Sequence, residues 1–243
     1  KINPTELRKS IQAEESRGVH GPQRGPVSIT QITEKGQVYT LSEINEITRI
    51  AREFKLPVHM DGARFANALV SLDCTAAEMT WKSGIDVVSF GGTKNGLMGV
   101  EGVIFFDPEK AWEFELRRKR AAHLFSKHRY LSAQMLAYLE NDLWIELASK
   151  ANKAASLLIE GLRNIEKVDF LVEPKANLIF VTMPAYMHRK AFEKGLEYYT
   201  WSEIEGVSDD TPVVSRFVVD WSRSLSDIDK FLEIMRNAAK KEI

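Results

Sequence analysis

Two short apolar runs, at 57–60 and 85–90, each lead directly into a turn of small residues that carries charge. The first continues as Asp61-Gly62-Ala63-Arg64 and the second as Gly91-Gly92-Thr93-Lys94-Asn95-Gly96. Runs this short and this apolar predict strands buried in a sheet. The stretches 27–31 and 103–106 have the same character. Helical spacing separates them, at 42–54 with Ser42 as cap and Ile44, Ile47, Ile50 and Ala51 on one face, then at 63–70 and 76–83. Strands that alternate with helices, each too apolar to be half exposed, predict βαβ units and a mostly parallel sheet. Ligands bind such sheets beyond the carboxyl ends of the strands, which is where Asp61 and Lys94 are expected.

Asn3 before Pro4 predicts a helix start, and Gly18 its stop. After Pro108 comes a charged helix whose Arg117-Arg118-Lys119-Arg120 cluster reads as a solvated face. A long helical pattern covers 130–164, broken near Asp142. From Val168 the pattern changes to strands at 170–172, 178–182 and 216–219, with helices at 187–194 and 225–239. This predicts an α/β protein with a large domain over 1–148 and a small α+β domain over 149–243, a length that suffices for both cores.

Composition narrows the partners. The 33 basic and 34 acidic residues nearly cancel, so no basic stripe argues for nucleic acid, and no apolar run is long enough to span a bilayer. A single cysteine, Cys74, cannot form an intrachain disulfide and fits a reducing, cytoplasmic compartment. No Cys/His cluster has metal-ligand spacing. The expected partner is a small molecule.

A lysine in a small-residue turn after a buried strand is costly unless it is exposed, paired or chemically used. Alone, Lys94 and Asp61 would each be ordinary turn residues. Together, at neighbouring strand ends, they supply what pyridoxal phosphate requires: an amine for a Schiff base and a carboxylate for the pyridinium nitrogen.

The motifs sharpen this. Val58-His59-Met60-Asp61-Gly62-Ala63-Arg64-Phe65-Ala66-Asn67-Ala68 resembles the HMDGAR-x-x-N-A signature of the low-specificity threonine aldolases, and Thr93-Lys94-Asn95-Gly96 resembles their Schiff-base lysine turn. The likeness continues through Arg117-Arg118-Lys119-Arg120-Ala121, His123-Leu124-Phe125-Ser126-Lys127 and Ser215-Arg216-Phe217-Val218, and covers nearly the whole chain. It implies the fold of the aspartate-aminotransferase group of pyridoxal-phosphate enzymes. It further implies cleavage of L-threonine- or L-allo-threonine-type β-hydroxy-α-amino acids to glycine and an aldehyde. The alternatives are another pyridoxal-phosphate lyase, a racemase, an aminotransferase, or an inactive truncated chain.

The resemblance also implies roles. Lys94 would hold pyridoxal 5'-phosphate covalently and Asp61 would pair with its ring nitrogen; apart from the resemblance, Thr93 in the lysine turn is expected to offer a hydroxyl to the phosphate. Arg64 would sit near the phenolic oxygen and help hold substrate, and Arg216 would clamp the substrate carboxylate in a bidentate pair. His20 would meet the β-hydroxyl as base or positioner. His59 is expected to be buried and hydrogen-bonded, orienting Asp61, and His123 to reach a cofactor or a neighbouring subunit. His128 and His188 are expected at the surface or satisfied in the core. Family members carry an N-terminal segment with a phosphate-binding turn that has no equivalent before Lys1, so the chain is expected to be part of a longer enzyme. A homodimer or homotetramer with shared sites is implied.

Overall fold

The computed structural model describes residues 1–15 and 18–240. They form two compact units, Lys1–Thr33 with Val38–Ile145, and Glu34–Gln37 with Glu146–Ile243. The end of the first predicted helix lies partly outside the described residues.

The first unit opens with α1 (Pro4–Glu15). Asn3 Oδ1 accepts the N–H groups of Thr5 and Glu6 at 2.9 and 3.1 Å, satisfying donors that the first helical turn leaves open. Then follow β1 (Val27–Thr30), α2 (Leu41–Glu53), β2 (Val58–Gly62), α3 (Phe65–Leu72), α4 (Ala76–Met79), β3 (Val87–Gly91), β4 (Glu101–Phe105), α5 (Ala111–Arg120) and α6 (Arg129–Leu139). The cap of α2 is Thr40 rather than Ser42. Thr40 accepts the Glu43 N–H while the Glu43 carboxylate accepts the Thr40 N–H, a reciprocal box that Ser42 has no partner to form.

The sheet order is β1-β2-β3-β4, with the first three strands parallel and β4 antiparallel to β3. The expectation that these strands are too apolar to be half exposed is corrected. Val58, Met60 and Gly62 are buried while His59 and Asp61, on the other face, are half-buried. Ile29, Met60 and Val88 continue the buried face, each worth about 1.5–3 kcal/mol when fully covered. Ser28, His59, Asp61 and Ser89 share the polar face, in register across three strands. At their carboxyl ends β2 and β3 reach further than predicted, so Asp61 lies within β2 and not beyond it.

Asn141 takes a left-handed conformation (φ +53°) and ends the helical run after α6, which is the predicted break. Beyond it lies α7 (Leu143–Arg163), followed by β5 (Asp169–Phe170), β6 (Leu178–Pro184), α8 (Ala185–Glu193), β7 (Tyr199–Thr200), β8 (Pro212–Val218) and α9 (Leu225–Ala239). The second sheet is antiparallel, in the order β5-β6-β8-β7. β7 was not anticipated; two residues are too few to show a period. On α7 the stripe Leu147, Ala151, Ala154, Leu158 and Leu162 is buried at helical spacing. The second unit's core draws Leu158 and Leu162 together with Ile179 and Val181 of β6, Phe217 of β8, and Leu232 and Met235 of α9.

His188 is fully buried in this unit. Its ring nitrogens meet Tyr198 Oη at 3.1 Å and the Val213 carbonyl at 3.3 Å, so it is a satisfied core histidine, as expected. Burial, the largest influence, pushes its pKa below the usual 6.5. The unfolded chain therefore takes up this proton first. Its contribution to stability is complete above pH 6.5 and is lost as pH falls below 6.5 through the lower folded value. Urea midpoints measured between pH 7.5 and pH 5 should decline, and His188→Gln should flatten that decline.

Candidate functional site

Asp61, near the carboxyl end of β2, and Lys94, in the turn that follows β3, lie at the same end of the first sheet. Asp61 stands opposite Ser89 in the β2–β3 register, and Lys94 lies in a single 3-10 turn, Thr93–Asn95, directly after β3. Gly91 lets the chain leading to Lys94 pass close to the residues that follow Asp61. A Cβ there would lie 2.6 Å from the Ala63 carbonyl oxygen and 2.7 Å from that of Gly62, so a side chain would push the two segments apart.

Asp61 Oδ1 accepts the Ala63 N–H at 3.0 Å, and no donor among the described residues reaches Oδ2. A half-buried carboxylate with one oxygen fixed and the other without a donor among the described residues can receive one from a ligand. The Lys94 amine is exposed, and no ion pair or hydrogen bond holds it among the described residues. Arg64 follows in the same turn, half-buried at the start of α3.

Thr93 is already engaged by its own chain. Its N–H donates to Glu101 Oε1 at 3.2 Å and its hydroxyl approaches the Val100 carbonyl at 3.5 Å. His59 is half-buried, with Nδ1 2.8 Å from Ser28 Oγ and Nε2 2.9 Å from Ser89 Oγ. Hydrogen bonding was expected of it, but its partners are the flanking serines and not Asp61. His20 is exposed in the 3-10 turn Gly18–His20, and no contact joins it to Asp61, Arg64 or Lys94 among the described residues. His123 and His128 line a cleft of about 730 Å³ with Arg117, Arg118 and Glu101. There Arg118 Nη2 lies 2.8 Å from His128 Nε2.

Arg216 belongs to the second unit. It lies on β8, which is flanked on both sides by strands, and its side chain is exposed. Its guanidinium rests 5.1 Å from the centre of the Tyr199 ring, a cation–π contact, and no hydrogen bond engages its N–H donors among the described residues. Sequence reading did not single out Glu101, Asn95 or Tyr138. All three hold the Lys94 turn, but no local pattern announces contacts between residues up to 43 positions apart.

Residues 1–185 match the family model described as Beta-eliminating lyase. The chain belongs to this family. It is 38% identical over 221 residues to the low specificity L-threonine aldolase of Pseudomonas sp. (strain NCIMB 10558). That match covers 91% of this chain and 61% of the relative. It is 35% identical over 237 residues to the enzyme of the same name from Pseudomonas aeruginosa, covering 98% of this chain and 65% of the relative. The chain thus spans less than two thirds of the length of these curated relatives. The structure of the Leishmania major threonine aldolase superposes with a TM-score of 0.88 at 22% identity, over 99% of this chain and 68% of that one, which establishes the shared fold.

Among the described residues, no group of three or more His, Cys, Asp or Glu could hold a metal ion, and no helix is long and apolar enough to cross a membrane. The glycine contact gives a direct test. Gly91→Ala should destabilise the first unit by about 1–3 kcal/mol through overpacking. Gly25→Ala, where a Cβ meets nothing within 4 Å, should leave the urea midpoint nearly unchanged.

Proposed function

We propose that this protein cleaves β-hydroxy-α-amino acids of the L-threonine or L-allo-threonine kind to glycine and an aldehyde, with pyridoxal 5'-phosphate as cofactor. The observation that carries this reading is the half-buried Asp61, whose Oδ2 meets no donor among the described residues, at the same sheet end as the turn of Lys94, whose amine has no partner among them. That donor set fits the cofactor: a carboxylate free to take a ring N–H, and an amine free to attack an aldehyde. When bound, the cofactor supplies the aldehyde that captures an amine and a protonated ring that draws electrons from Cα.

The chain's own residues would do the rest. Asp61 would keep the ring nitrogen protonated by accepting its hydrogen bond through Oδ2. Lys94 would hold the cofactor and give it up to the substrate amine. Arg216 would bind the substrate carboxylate through two parallel N–H donors, and Arg64 would add a second cation for cofactor or substrate. Thr93 would contribute to the phosphate only by releasing its own contacts. In the net reaction the β-hydroxyl loses its proton, the Cα–Cβ bond breaks to give the aldehyde, and Cα gains a proton to give glycine. His20 is the proposed acceptor of the hydroxyl proton, a role typically worth about 10²–10⁴-fold in rate.

The family description favours β-elimination as a second reading. L-serine giving pyruvate and ammonia, with L-threonine giving no acetaldehyde, would select it. The working protein is taken to be a cytoplasmic homodimer or homotetramer. Supporting this are the lone Cys74 and the exposed Met98, Trp112 and Leu136 (92%, 66% and 70% accessible), large apolar groups of the sort that assembly covers.

Two measurements test the assignment. Supplied with pyridoxal phosphate, the protein should release glycine and acetaldehyde from L-threonine or L-allo-threonine, and Lys94→Ala should abolish this together with the aldimine absorbance of the cofactor-loaded protein. Acetaldehyde release or an aldimine band retained in Lys94→Ala would rule out Lys94. Arg216→Ala should raise the KM for the amino acid by at least about tenfold, the loss of a charge-assisted pair, with cofactor affinity unchanged; equal loss of both would argue against the carboxylate role.

A further inference from the structure

Lys94 sits on a three-residue 3-10 turn between Gly92 and Gly96, and Gly96 has φ +117°. A turn this short, bracketed by glycines, has little stability of its own. Its position must be imposed from outside, and the contacts that impose it are specific. Glu101, the first residue of β4, accepts the Gly92 N–H through Oε2 at 3.1 Å and the Thr93 N–H through Oε1 at 3.2 Å. One carboxylate therefore gathers two successive amides immediately before Lys94, filling the concavity that such paired N–H groups form for an anion.

On the other side of Lys94, the Asn95 side chain turns into the protein and is buried. Its amide donates to Tyr138 Oη at 2.6 Å and to the Trp144 carbonyl at 2.8 Å. Tyr138 is wholly buried on α6, its ring beside Phe90, and its hydroxyl lies 3.5 Å from the Gly91 carbonyl. Burial is the main reason its pKa is pushed up to about 12, so the hydroxyl keeps its proton throughout the working range.

We propose that Glu101 and Tyr138 are positioning residues for the Lys94 amine, Glu101 fixing the two amides that precede it and Tyr138 fixing the Asn95 that follows it. The proposal rests on the reading of Lys94 as the cofactor-holding lysine. Neither residue touches the reacting atoms. Each sets where the lysine side chain leaves the backbone, and misplacing a reacting group by as little as about 1 Å is costly. Glu101 is exposed, so its removal separates placement of the turn from stability of the fold.

The test uses the full chain, with two readouts. Backbone amide exchange follows Gly92 and Thr93. Incubation with pyridoxal phosphate, borohydride reduction and peptide mapping follow the share of label on Lys94 relative to the exposed Lys82 and Lys127. Glu101→Ala should speed exchange at Gly92 and Thr93 about tenfold and lower the Lys94 share about tenfold, as expected for the loss of a charge-assisted contact. Glu101→Gln, which keeps an acceptor oxygen, should recover part of both, and it carries the test if Glu101→Ala lowers the urea midpoint. Tyr138→Phe should lower the Lys94 share without speeding exchange at Gly92 and Thr93.

An unchanged Lys94 share in Glu101→Ala and Tyr138→Phe would overturn the proposal. So would amides at Gly92 and Thr93 that stay protected without Glu101. If wild-type protein fails to label Lys94 preferentially, the reading of the lysine itself fails, and the proposal falls with it; amide exchange at Gly92 and Thr93 tells this outcome apart from the others.

Discussion

The close pairing of β2 with β3 is the constraint on which the candidate site depends. Parallel register places Asp61 opposite Ser89, and period-two alternation then decides what each strand offers to each face. Val58, Met60 and Val88 go down into the apolar layer. His59 and Asp61 come up beside Ser28 and Ser89, where His59 links both serines. A slip of one residue would reverse every one of these assignments. The bare backbone of Gly91 then lets the chain leading to Lys94 pass close to the Gly62 and Ala63 carbonyls that follow Asp61.

That end of the sheet needs support, because turns are intrinsically weak. It comes from below through Asn95, Tyr138 and the ring cluster of Phe65, Phe90 and Trp144, and from the side through Glu101. The second unit follows a similar logic with different chemistry. Its antiparallel sheet buries Phe217 and presents the neighbouring Arg216 outward over Tyr199. A strand interior to the sheet gives such an arginine a firmer base than an edge would.

Much of this was legible in the residues. The helix at 225–239 and the break near Asp142 matched because amphipathic period and local turn chemistry act within a few positions. The α2 cap moved from Ser42 to Thr40 because the deciding partner was Glu43, a side chain three positions from Thr40. Asp61 was expected beyond its strand and lies within it, since pairing with β3 extends the ladder through Gly62. Thr93 looked like a free hydroxyl in a turn; its partners, Val100 and Glu101, return from the next strand. The two-residue β7 had no readable signal, and only its ladder with β8 makes it a strand.

By itself, then, the sequence determined the alternation of strands and helices, the parallel character of the first sheet and the chemistry-bearing pair Asp61 and Lys94. These are set by side-chain period and by residue type, which are local properties. Tertiary structure alone decided which Asp61 oxygen stays open, that His59 bonds to serines on both neighbouring strands, and that Glu101 and Tyr138 hold the turn around Lys94. Such contacts join residues far apart in the chain, and they exist only once strand register and helix packing have fixed the distances between them.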